Sequence, residues 1–156
     1  MRIVQRVVIV LALLAGGIAL AAVPSRMVSR LGPQAEEPVP AFHAQVPKGE
    51  LPATMSPSLF ADVAVQNAYV IAARIKKTLY QQPCYCHCDQ SQGHGSLLDC
   101  YVSRHASGCD ICMREDFYAY EQIAKGKTGA QIRDGIKKGE WQSVDTSKYQ
   151  KPLPAK

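Results

Sequence analysis

Cysteine is absent from most of this chain, with none before Cys84 and none after Cys112. That absence excludes a core with thiols scattered through it as small hydrophobes, and it excludes lipid attachment through a cysteine at the end of the N-terminal apolar segment. Strand signals are missing as well. No stretch alternates apolar and polar residues over the length of a strand, which removes sheet architectures from consideration. The formal charge is only +5, or +3 without Arg2 and Arg6, and its lysines are spread over Lys76-Lys77, Lys125-Lys127 and Lys137-Lys138. Such a distribution lacks the clustered basic face that nucleic acid requires, and reads as solvated helix surface. Nor do the serines, threonines and the Glu115-Asp116 pair form a nucleophile-and-base arrangement; that pair reads as part of a solvated helix face.

The N-terminus points to a compartment. Arg2 and Arg6 precede an uncharged apolar stretch from Val7 to Val23 that stops at Pro24. This is a membrane-targeting segment, either a signal peptide with a cleavage site near Ala19 and Ala21 or a short anchor. Both readings place the rest of the chain outside the cytoplasm, periplasmic or held at the membrane. Seven of the ten prolines follow between Pro24 and Pro57 with no apolar period, the composition of an extended tether. The expected organisation is a signal or anchor over 1–23, a tether over 24–55, a cysteine-rich domain over 56–141 and a tail over 142–156. A domain of this size has room for one core, near the limit at which cross-links or metals supplement it.

Helical signals fill that domain. Ser56 before Pro57 predicts a helix start, and Leu59, Phe60, Val63, Val70, Ile71, Ile75 and Leu79 recur at three- and four-residue spacing. Pro83 must end this long helix. A turn at Gly93-His94-Gly95 then lets Ser96 cap a short helix through Val102. Cys109 to Ala124 is predicted helical up to Gly126. Thr128 and Gln131 form a capping-box pattern for a last helix that carries Ile132 and Ile136 and closes at Gly139. The fold class is all-α: one long helix and two or three short ones, with a cysteine-rich loop between them.

The sulfurs carry the chemistry. In an extended segment Cys84, Cys86 and Cys88 would share one face, and Cys100, Cys109 and Cys112 would supply the other half of a cage. Placement at a helix N-terminus favours the thiolate, which both ligates metals and attacks disulfides. Three readings follow. A thiophilic metal site comes first, with copper(I) ahead of zinc because it accepts two or three sulfurs, and an iron–sulfur cluster last because it needs four cysteines at wider spacing. Structural disulfides come second, as is common in small exported domains. Thiol–disulfide exchange through Cys109-Asp110-Ile111-Cys112 comes third, since no βαβ pattern surrounds that pair. Among the histidines, His94 and His105 sit on turns from which they can ligate. His87 lies within the cysteine run, as an outer contact or an added ligand.

The run Pro83-Cys84-Tyr85-Cys86-His87-Cys88, with Gly93-His94, Asp99-Cys100, Gly108-Cys109-Asp110-Ile111-Cys112 and Ile132-Arg133, resembles the PCYCGC-motif (CYCXC) family of exported bacterial proteins. The resemblance spans about Leu59 to Trp141. Members of that family are largely uncharacterised, many are lipoproteins and some carry selenocysteine in the motif. The resemblance therefore implies a sulfur-centred redox or metal role in preference to simple stapling. Two departures stand out: His87 occupies the usual glycine position, and the lipoprotein cysteine is absent.

Overall fold

The computed structural model describes residues 37–154. The expected signal or anchor over 1–23 and the first part of the tether lie outside the described residues. Among the described residues there is no strand, and no helix is long and apolar enough to cross a membrane. Six helices follow one another: α1 Val63–Arg74, α2 Lys76–Leu79, α3 Cys88–Gln92, α4 Asp99–Val102, α5 Asp110–Ala124 and α6 Gly129–Lys137, with short 3₁₀ turns between and after them.

The first helix begins later than its sequence predicts. Ser56 does not cap it, because its hydroxyl pairs with that of Ser58, and Pro57–Leu59 forms only one 3₁₀ turn. Phe60 is then extended, and the Asp62 carboxylate accepts from the Val65 N–H to start α1. The buried face of α1 consequently runs through Val65, Ala68, Tyr69, Ile71 and Ala72 rather than Leu59, which is exposed. Ala68 and Ala72 are fully buried, and α1 against α5 forms the main helix pair of the core.

Around this pair, Leu79, Leu97, Leu98, Tyr101, Phe117, Ile132 and Ile136 are buried almost completely. Each such side chain stabilises the fold by about 1.5–3 kcal/mol relative to exposure. Tyr69 stacks on Phe60 and meets Tyr101 edge-on, while its hydroxyl donates to the Ser103 carbonyl. The capping box at Thr128 and Gln131 forms as its sequence predicts. Gly126 and Gly139 end their helices at φ +77° and +75°, conformations that favour glycine. Gly135 has a different reason: a Cβ there would collide with the Tyr118 hydroxyl.

Segments flanking the helices pack on them. The Met55 N–H donates to the Tyr101 carbonyl, His43 stacks on Tyr80, and the Ala41 N–H donates to Asp89. At the other end, Tyr149 is buried and lies parallel to Phe117 at 3.7 Å, and Asn67 donates to the carbonyls of Tyr149 and Lys151.

Candidate metal centre

Pro83 stops the α1–α2 run and turns the chain into the cysteine segment, which is not extended. The His87 N–H donates to the Cys84 carbonyl and His87 itself is left-handed, at φ 55° and ψ 34°, so Cys84 to His87 forms a tight turn. Cys88 then opens α3. The expectation that alternate residues of a strand would align the three sulfurs is therefore replaced by a turn followed by a helix. The outcome for Cys84, Cys86 and Cys88 is the same, because a turn also folds them back on one another.

One hydrogen bond and a buried flank hold this turn in place. Glu115, on α5, accepts from the Tyr85 N–H at 2.9 Å, and Pro83 and Gln82 behind it are buried. Glu115 and Asp116 are thus not a solvated face as their sequence suggests: both are fully buried, Glu115 facing the cysteine turn. Burial raises the Glu115 carboxyl to about 8 despite the opposing Tyr85 N–H. It pushes the Asp116 carboxyl, whose two oxygens have no partner, well above the usual range.

The next donors arrive over a second turn. Gly93, at φ +70°, ends α3, and the Asp99 carboxylate accepts from the Gly95 and Ser96 N–H groups at 2.7 and 3.1 Å. Asp99, and not Ser96, organises the start of α4, and the Ser96 hydroxyl has no hydrogen-bond partner. This arrangement brings His94 Nδ1 to 3.4 Å from Cys100 Sγ. His105 follows on a 3₁₀ turn, with Nε2 at 3.5 Å from Cys86 Sγ. Cys109 caps α5 through its sulfur, which accepts from the Cys112 N–H at 3.5 Å, and Tyr101 donates to the Cys112 carbonyl at 3.0 Å.

Five sulfurs consequently meet. Cys84 lies 3.3 Å from Cys86 and 3.4 Å from Cys112, Cys86 lies 3.6 Å from Cys112, and Cys88 lies 3.4 Å from Cys100. All six cysteines are free. A disulfide requires about 2.05 Å between sulfurs, so the stapled reading has no counterpart among the described residues. Three overlapping groups have donor atoms mutually within 4.8 Å and are able to hold a metal ion: Cys84, Cys86, Cys88 and Cys100; Cys86, Cys100, His105 and Cys112; and Cys88, His94, Cys100 and His105. Cys100 belongs to all three.

Of the residues expected from sequence, Cys84, Cys86, Cys88, Cys100, Cys112 and His94 are gathered here. Cys109 and His87 are in none of these groups. Cys109 stands half-exposed at the margin, and the His87 ring turns to Glu37 at 2.9 Å. His105, expected from sequence as a histidine on a turn four residues before Cys109, joins two of the three groups.

The protons on the cluster are unevenly shared. Interactions among the thiols, led by those with Cys100 and Cys109, hold the Cys86 thiol far below its ordinary value, and Cys112 leads those that pull Cys100 down. The Cys84, Cys88 and Cys112 thiols are raised, each chiefly by its interaction with the nearby Cys100. Sulfurs at van der Waals contact in a buried pocket cannot all ionise against one another, and a cation removes that restriction. The cluster is therefore compatible with metal binding on both geometry and charge.

No curated protein and no solved structure matches this chain. One family model does, over residues 49–154, and its description is a protein of unknown function with PCYCGC motif. That match runs from ahead of the first turn to beyond Tyr149 and takes in every donor of the cluster, and the chain belongs to the PCYCGC-motif family.

Proposed function

We propose that the domain binds a thiophilic metal, copper(I) first, through the cysteine cluster, and that it buffers this metal or hands it on. The observation that carries the reading is the convergence of Cys84, Cys86, Cys88, Cys100 and Cys112 at 3.3–3.6 Å contacts, too long for bonds between sulfurs and short enough for a shared ion. Copper(I) is favoured over zinc by the excess of sulfur over nitrogen and by its acceptance of two or three thiolates. Half-exposed Cys86, His94, His105 and Cys109 form the side from which an ion reaches the buried sulfurs. The targeting segment in the sequence supports placing this activity outside the cytoplasm, at or near a membrane.

The experiment is anaerobic purification followed by elemental analysis and a count of reactive thiols. Bound copper with six reduced cysteines is the expected result; metal-free protein that takes up no copper(I) on titration overturns it. Thiol–disulfide exchange is the competing reading, supported by Cys109 half-exposed at the head of α5 with Cys112 buried one turn later. It would be favoured instead if metal-free protein reduced a model disulfide and Cys109→Ser abolished that turnover.

A further inference from the structure

The cluster holds more donors than one ion can use. Seven atoms, five sulfurs and two imidazole nitrogens, occur in the three groups, while a tetrahedral ion takes four ligands and copper(I) often two or three. The seven divide without overlap into two complete sets. Cys84, Cys86 and Cys112 form a nearly equilateral triangle of sulfurs with edges of 3.3, 3.4 and 3.6 Å. The centre of such a triangle lies roughly 2 Å from each sulfur, so a thiolate bond of about 2.3 Å seats an ion just out of the plane. The remaining donors, Cys88, His94, Cys100 and His105, are mutually within 4.8 Å, a two-sulfur, two-nitrogen set of tetrahedral type.

We infer that the domain holds two metal ions side by side, one on the Cys84–Cys86–Cys112 sulfur triangle and one between Cys88, Cys100, His94 and His105. This rests on the metal-binding reading above and gives its stoichiometry and ligand assignment. The two positions are neighbours and not separate sites, because Cys84, Cys86, Cys88 and Cys100 also lie within 4.8 Å of one another and Cys86 touches His105. Cys100, common to all three groups, is the natural bridging thiolate. The two rings are arranged for this: His94 and His105 meet edge-on with centroids 5.2 Å apart, each presenting a nitrogen to a cluster sulfur.

The test loads the full chain anaerobically with copper(I) in competition with a soluble copper(I) chelator and measures ions per chain. X-ray absorption on the loaded protein then identifies the scatterers. The expected result is two ions per chain, with nitrogen as well as sulfur around copper and a metal–metal vector. His94→Ala combined with His105→Ala should bind one ion with sulfur ligands alone. A single ion bound by the wild-type chain overturns the two-ion inference and leaves the thiolate site standing. No ion bound overturns both. Two ions with sulfur alone in the wild-type spectrum removes the histidine set, and this readout holds even if the double variant fails to fold.

Discussion

Asp116 is the residue whose environment departs furthest from its chemistry. It is fully buried on α5, both carboxyl oxygens lack partners, and burial raises its pKa well above the usual carboxylate range. A carboxyl in this position is tolerated only in its protonated form. The folded chain then keeps a proton that the unfolded chain has lost above about pH 4, so the folded state binds more protons and stability falls as pH rises from there toward and through the raised value. Asp116→Asn preserves the shape and removes the charge. The variant is expected to exceed the wild type in stability at pH 8 by at least about 1 kcal/mol and to lose that advantage at pH 4. Urea denaturation at both pH values checks this, and a wild-type-to-variant difference that stays constant with pH would contradict it.

At the scale of elements, the turn from Cys84 to His87 decides the geometry of the site. The family's motif places glycine where this chain has His87, and that residue is the one non-glycine at positive φ among the described residues. A side chain there costs about 1–2 kcal/mol, offset in part by the roughly 0.5–1 kcal/mol of chain entropy that glycine would lose on folding. The contact with exposed Glu37 contributes little. His87→Gly should therefore stabilise the domain by up to about 1 kcal/mol, while the β-branched His87→Val destabilises it by about 1–2 kcal/mol. Equal denaturation midpoints for the two variants would mean that the turn is not left-handed. This turn also marks the limit of what the sequence discloses. Thr128, Gly126 and Gly139 announced their helix ends because a cap acts on residues within one turn. The Cys84–His87 turn depends on Glu115, 30 positions away, whose burial no local pattern signals. Ser56 misled for a related reason, since an apolar spacing continues through a 3₁₀ turn and an extended residue as readily as through a helix.

For the molecule as a whole, most of the cluster was legible because six cysteines in one short stretch have few uses, whereas the exclusion of Cys109 and His87 and the division of donors depend on how five elements pack. The donors come from the Cys84–Cys86 turn, from α3, from the turn and helix at His94 and Cys100, from the His105 turn and from α5. A bound ion therefore ties α5, which α1 and α6 already hold, to the cysteine turn, α3 and the two histidine turns. Because the unfolded chain lacks this preorganised set, metal binding adds to folding stability by mass action. At free metal a thousandfold above the dissociation constant the gain is about 4 kcal/mol, or roughly 15 °C in melting temperature for a domain of this size. Removing the metal with a thiophilic chelator under reducing conditions should lower the melting temperature by that order, and restoring copper(I) should recover it. The Cys100→Ser variant should recover only part of that loss, because it takes away the sulfur common to the three overlapping groups and leaves the Cys84–Cys86–Cys112 triangle. A melting temperature indifferent to chelation would mean that the folded chain holds no metal or that the unfolded chain holds it as tightly, and α1, α5 and their aromatic contacts would then be what keeps the sulfurs together.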